Sequence, residues 1–223
     1  MKKLFRYIIF YSPASTKWFL GWFIRLHNYC YHKITELASV LEGGLNPKHR
    51  ITNYHQYFLD RIDKTNRVLD LGCGIGYLAY DLADKAREVI GIDISNFNIE
   101  YARAHYQRSN LKFLIGDATK HNFDKRFDCV VLSNVLEHIK GREALLKKIK
   151  NLSPKLLLRV PMVTRDWTAV YKRDNGHDYK LDETHEIEFT LEDIFYETAR
   201  ANWKIKSYQV NWGEFWGELV KHE

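Results

Sequence analysis

Cysteine is scarce in this chain: three of 223 residues, Cys30, Cys73 and Cys129. Their spacing matches no metal-binding pattern, and so few thiols leave a reduced, cytoplasmic compartment as the expectation. Long apolar runs are missing too. The aromatic stretch Trp18–Ile24 is far too short to span a bilayer. Arg6 interrupts the apolar residues near the start, which makes a poor secretory signal, so residues 1–66 are expected to stay and dock as a helical extension. There is no internal repeat and no low-complexity segment. The charge excess is mild, at +6 with a pI of about 9.0. It points more to a solvated surface than to an anionic partner.

What the chain does have is Val68–Gly76, V-L-D-L-G-C-G-I-G. A short apolar run leads into Gly72, Cys73, Gly74 and Gly76, and a helical pattern follows through Leu78, Ala79, Leu82 and Ala83. This reads as strand, tight turn, helix. Glycine lets such a turn approach a ligand closely, and the helix start points free N–H groups at the same space. Turns of this kind also bind dinucleotides and phosphates. Here, however, the spacing is not G-x-G-x-x-G, and no Gly-Lys-Ser/Thr follows. Asp70 lies two residues before the first glycine; a carboxylate there repels a pyrophosphate and suits an ammonium. The segment resembles motif I of the class I S-adenosylmethionine (SAM)-dependent methyltransferases.

Later segments agree in order. Glu88–Asp93 reads as a buried parallel strand closed by Asp93, 17 residues after Gly76. A carboxylate at that point can accept both ribose hydroxyls of a nucleoside, in NAD enzymes as well as methyltransferases. The resemblance implies that Ile94, the next residue, also lines the cofactor site, and Ser95 is placed to N-cap the next helix. Lys112–Ile115 reads as a third strand, with Asp117 and Ala118 just beyond. The resemblance implies that Asp117 accepts the adenine amino group and that the Ala118 N–H donates to the ring. Phe127–Leu132 is a fourth strand. Its continuation, Ser133–Ile139, opens at the carboxyl edge, where ligands of open α/β sheets bind. By the same resemblance Asn134 and Val135 lie beside the methionine part of SAM, with Glu137 and His138 toward the acceptor. Lys155–Pro161 is a fifth strand. Residues 162–189 form a long polar connection, the natural place for substrate-specific elements. Thr190 and Asp193 mark a helix start, strand Trp203–Val210 follows, and a last strand lies near Leu219–Val220.

From Arg67 onward the chain is thus expected to form a Rossmann-like, doubly wound, mostly parallel seven-stranded α/β sheet. S-N-V-L-E-H-I followed by D-E-T-H-E-I-E-F-T is similar to the ubiquinone-pathway O-methyltransferases. Some relatives, including small-RNA 3′-end methyltransferases, hold a divalent metal with Glu-x-x-Glu-His and a later histidine. Here Asn134 replaces the first glutamate, and Asn134, Glu137, His138 and His185 would be a weak hard-metal site, so no metal is expected. His138 and His185 are the candidates for a base that activates an acceptor hydroxyl; a structural histidine is an equally good account of either. In the family, the element before the first strand caps the cofactor and touches substrate, which brings in His49, Arg50 and Tyr54. Ile51, Tyr54, Phe58 and Ile62 would form its buried side, with His55 outward. The acceptor is read as a small molecule, lipid or glycan. RNA or protein as acceptor, and a non-catalytic SAM-fold subunit, are the competing readings. Residues 4–26, with Trp18, Phe19, Trp22, Phe23 and Leu26 between Lys17 and Arg25, suit a peripheral membrane contact; core packing or a dimer contact would use the same residues.

Overall fold

The computed structural model describes residues 12–222. The chain divides into two compact units, one of residues 12–51 and 166–179, the other of residues 52–165 and 180–222.

In the smaller unit the two expected amphipathic segments are one helix, α1 (Pro13–Leu41). Pro13 sits at its first turn, where a missing N–H costs nothing, and Ser12 and Ser15 close a capping box. Gly43 and Gly44, both at positive φ, follow its end. Ile24 is buried, whereas Trp18, Trp22 and Phe23 are exposed. Helix α2 (Lys48–Thr52) comes next. The connection after the fifth strand, expected to be irregular, contains a 3₁₀ turn over Val163–Arg165 and a later helix (Trp167–Asp174) capped by Asp166. Within the smaller unit that later helix meets α1. Lys172 Nζ donates to Asn28 Oδ1 at 2.8 Å, and Asn28 Nδ2 donates to the Asp178 carbonyl at 3.1 Å.

The larger unit holds α3 (Tyr54–Leu59), β1 (Arg67–Leu71), α4 (Tyr77–Ala83), β2 (Glu88–Asp93), α5 (Asn96–His105), β3 (Leu111–Ile115), β4 (Cys129–Ser133), α6 (Arg142–Leu152) and β5 (Lys155–Pro161). After the helix at Trp167–Asp174, now α7, come α8 (Leu191–Arg200), β6 (Trp203–Asn211) and β7 (Glu214–Lys221). The sheet has seven strands in the order β3-β2-β1-β4-β5-β7-β6, with β7 antiparallel to both neighbours. Strands β1, β2, β4 and β5 are near-continuous apolar runs because helices cover both sheet faces. One face packs Leu69, Leu71, Ile92, Leu132 and Leu158; the other packs Val68, Val89, Val131, Leu157 and Trp216. Helix α3, expected with the extension, lies in the unit of the sheet: Phe58 is fully buried, and the Tyr57 ring meets Trp216 at 5.5 Å.

The last strand starts earlier than its sequence pattern indicates. Trp212 and Gly213, at φ 55 and 72, make a two-residue turn of the kind that joins twisted antiparallel strands, so Phe215 and Trp216 belong to β7. Ser95 caps α5, and Thr190 with Asp193 forms a reciprocal box at α8, as their positions predict. Strand order reverses between β1 and β4, so the carboxyl ends of these two strands frame the crevice where such sheets bind ligands.

Candidate active site

The glycine turn is built on tight tolerances. Gly72, Gly74 and Gly76 all have positive φ. A Cβ on Gly72 would stand 2.5 Å from Val135 Cγ2, and one on Gly76 would stand 2.7 Å from the Phe113 ring. Gly74 instead faces open space, with no heavy atom within 4 Å of a Cβ built there. The N–H groups of Gly72 and Cys73 donate to the Ile92 carbonyl, tying the turn to β2. Cys73 is buried, and burial pushes its thiol far above the usual range, so it serves as packing rather than as a nucleophile.

Carboxylates surround the turn. Asp93 accepts from the Gly74 N–H at 2.9 Å and from the Ser95 N–H and Asn98 Nδ2. Asp70 is buried, and its Oδ2 has no hydrogen-bond partner. Burial, helped by the charge on Asp93, raises its pKa to about 7. Asp117 accepts from the N–H and hydroxyl of Thr119, which together with Lys120 hold its carboxyl below the usual range. Ile94 and Phe97 are largely exposed beyond β2, and Ile115 is exposed at the end of β3. Apolar side chains left bare beside Asp93 and Asp117 suit the faces of a heterocycle. Nothing in the sequence singles out Phe97 or Ile115, since each sits in an ordinary helix or strand pattern.

At the end of β4, Asn134 takes a left-handed conformation (φ 54). Its buried Oδ1 has no hydrogen-bond partner. Two orphaned buried acceptors, on Asp70 and Asn134, an open glycine and a bare apolar rim fit a ligand with an ammonium at one end and an adenine at the other. Buried acceptors without donors are costly, so a donor-bearing ligand is the natural complement.

A 3₁₀ turn over Leu136–His138 follows and carries the acceptor side. Glu186 N–H donates to the Glu137 carbonyl at 2.7 Å, drawing the distant segment onto the turn. The rings of His138 and His185 meet edge to face at 4.7 Å. His138 Nδ1 lies 2.9 Å from Thr184 Oγ1, and His185 Nδ1 lies 3.3 Å from Glu188 Oε1. Burial, then the neighbouring His185, lowers the His138 pKa below the ordinary histidine value. Glu137, His138 and His185 each present a ligand atom within 4.8 Å of the others. This set could take one cation, with a single carboxylate against the several oxygens a hard cation prefers.

The remaining candidates fall in different units. Arg50 pairs with Glu42 on the surface of the smaller unit, at 2.5 Å, and His49 lies beside it on α2. Tyr54 belongs to the larger unit, buried, with the Arg159 guanidinium 3.6 Å from its ring centre. The expected sides of this segment are partly reversed: Ile51 is exposed, while His55 is buried against Asp81 at 2.6 Å. The cause is Asn53, at φ 49, which separates two short helices and rotates one face past the other.

Comparison with known proteins agrees with this geometry. A methyltransferase domain family matches residues 62–195. The ubiquinone biosynthesis O-methyltransferase of Bradyrhizobium diazoefficiens is 35% identical over 118 residues, 52% of this chain and about half the length of that relative, at 47%. The protein of the same name from Rickettsia typhi is 24% identical, over 85% of this chain and 91% of its own. Among solved structures, a SAM-dependent methyltransferase from Methanosarcina mazei superposes with a TM-score of 0.61 at 20% identity, over 74% of this chain and 96% of that one. One from Clostridium acetobutylicum gives 0.63 at 12% identity, over 87% and 100%. With the family match covering more than half the chain and the turn, acidic residues and sheet order in place, this chain belongs to the class I SAM-dependent methyltransferases.

Proposed function

We propose that the protein transfers the SAM methyl group to a hydroxyl oxygen of a small-molecule, lipid or glycan acceptor. The observation that carries this reading is the contact of His138 with His185, beyond the end of β4 where the crevice opens. Bound SAM supplies the electrophilic methyl carbon. Asp70, Asn134 and Val135 hold its amino-acid end, and Asp93, Ile94, Asp117 and Ala118 its nucleoside. Methyl transfer is an in-line displacement, in which alignment and exclusion of water do most of the work. A hydroxyl attacks poorly while protonated, so a neutral imidazole at hydrogen-bond distance takes its proton as the C–O bond forms. Similarity to ubiquinone-pathway O-methyltransferases supports an oxygen acceptor.

Incubating the protein with methyl-labelled SAM and separated metabolite, lipid, glycan and RNA fractions tests the reading. Label is expected in a base-stable ether within a non-RNA fraction; label in RNA alone would overturn it. Chelation separates two uses of the histidines. Turnover that persists in EDTA assigns them to proton transfer, whereas loss restored by Mg²⁺ assigns Glu137, His138 and His185 to a cation.

The smaller unit supports a peripheral membrane contact. Among the described residues no helix is long and apolar enough to cross a membrane. Yet Trp18, Trp22 and Trp167 are exposed, and a cavity of about 380 Å³ lies among Leu20, Phe23, Ile24, Trp167 and Tyr171. Residues 4–11, part of the expected contact, lie outside the described residues. Co-flotation with anionic vesicles is expected for the wild type and is expected to weaken at least several-fold in Trp18→Ala/Trp22→Ala. Flotation indifferent to both changes would rule out this face.

A further inference from the structure

Beside the cofactor pocket lies a buried ion pair that the reaction as described does not use. Arg159, on β5, and Glu214, on β7, are each almost fully buried. Arg159 Nε donates to Glu214 Oε2 at 2.7 Å, and its Nη2 donates to Oε1 at 2.9 Å. Trp216 Nε1 donates to Oε2 at 3.2 Å, and Arg159 Nη1 donates to Ser133 Oγ at 3.2 Å. The Tyr54 ring covers the guanidinium. Two ions buried this deeply gain little stability over an apolar pair, so their presence asks for another reason.

The reason is the neighbour that completes the carboxylate. Asn134 donates its backbone N–H to the Arg159 carbonyl at 2.8 Å, and its Nδ2 approaches Glu214 Oε1 at 3.5 Å. An ionised carboxylate only accepts hydrogen bonds. The Asn134 amide must therefore turn its NH₂ toward Glu214; the opposite rotamer would set an amide oxygen against a carboxylate oxygen. With the NH₂ committed, Oδ1 points elsewhere as a pure acceptor, and it is there that the structure leaves it buried and without a hydrogen-bond partner. Val135, the next residue, packs directly over Gly72, so this part of the chain borders the cofactor turn. Asp70 Oδ2, two residues before Gly72, is likewise a buried acceptor with no hydrogen-bond partner.

We propose that Glu214, fixed by Arg159, is a positioning residue that orients the Asn134 amide so that Oδ1 joins Asp70 in receiving the ammonium of SAM. Glu214 acts through Asn134 and does not touch the cofactor itself. The inference rests on the SAM site described above. Swapping the carboxylate for an amide, in Glu214→Gln, removes the constraint. The new side chain can donate as well as accept, the Asn134 amide is free to flip, and a flipped NH₂ meets the ammonium with like polarity.

Calorimetry with two ligands tests this. S-adenosylhomocysteine carries the amino-acid end, and 5′-methylthioadenosine lacks it but keeps the nucleoside. Glu214→Gln is expected to weaken S-adenosylhomocysteine about ten-fold and to leave 5′-methylthioadenosine within two-fold of wild type. Glu214→Asp keeps the charge opposite Arg159 and withdraws the acceptor by one methylene, so it gives the same selective loss if the amide variant does not fold. Asn134→Gly, which tolerates the left-handed backbone, is expected to match Glu214→Gln, with no further loss in the double variant. Equal weakening of both ligands, or an unchanged S-adenosylhomocysteine affinity, would overturn the proposal. Failure of the wild type to bind either ligand would instead strike at the SAM site itself.

Discussion

His138→Ala and His185→Ala are each expected to lower turnover by about 10²–10⁴-fold while leaving S-adenosylhomocysteine affinity within two-fold of wild type. The two residues reach one place from distant parts of the chain, and each ring has its second contact set: Thr184 for His138, Glu188 for His185. Glu188 also pairs with Arg165, so His185 leans on an anchored carboxylate rather than a mobile one. An imidazole held in this way keeps its tautomer and orientation, which a base needs more than proximity alone. The alanine variants leave the glycine turn and the acidic residues untouched, hence the separation of rate from cofactor affinity. Single-turnover rates with saturating SAM, measured beside melting temperature, decide the matter. A large drop in melting temperature with unchanged rate would make both rings packing residues. Because the two touch, the double variant is expected to lose little more than either single one.

Asp70→Asn is expected to reduce S-adenosylhomocysteine affinity by at least ten-fold at pH 8, the scale of a lost charged hydrogen bond. It should also abolish a pH dependence that the wild type shows. Asp70 has a folded pKa near 7 against an ordinary value of 3.8. Between those two values the folded protein holds a proton that the unfolded chain has released. Stability from this group is therefore greatest at low pH and falls as pH rises toward 7; above 7 the full cost of a buried charge is present. Ligand binding runs the other way. An ammonium favours the carboxylate, so below pH 7 binding must expel the proton, and affinity should fall by up to about ten-fold per pH unit. Titration calorimetry in buffers of different ionisation enthalpy reads the released proton directly. Release in Asp70→Asn equal to wild type would detach Asp70 from the ammonium.

Most of the sheet could be read from the chain because its parallel strands are mostly apolar and several of the turns carry glycine or a capping residue at a demanding position. Gly72 and Gly76 announce themselves: only a residue without a Cβ fits between strand and helix there. Thr190 and Asp193 mark a helix start by local chemistry alone. The meeting of His138 and His185 was legible in outline, since in this topology both segments return to the carboxyl edge. What stayed hidden depends on register and rotation. Arg159 and Glu214 read as strand residues of no special kind until the antiparallel pairing of β5 with β7 brings them together on one sheet face. Tyr54 and His55 are both buried, against the expected outward His55, because one left-handed residue, Asn53, resets the helical phase. Asn134 is of a residue type that tolerates the left-handed backbone, but asparagines are common enough that its identity alone does not single out the position.

The makeup of the smaller unit has a consequence for synthesis. Helix α1 lies near the start of the chain, but its packing partner α7 begins only at Trp167. On a ribosome adding about 5–20 residues per second, α1 emerges many seconds before the segment that meets it exists. Throughout that interval Leu20, Phe23 and Ile24 lack the surface that α7 later presents to them. Nascent α1 thus waits without its native partner until most of the sheet has been made, and the contact of the two helices can form only late in translation.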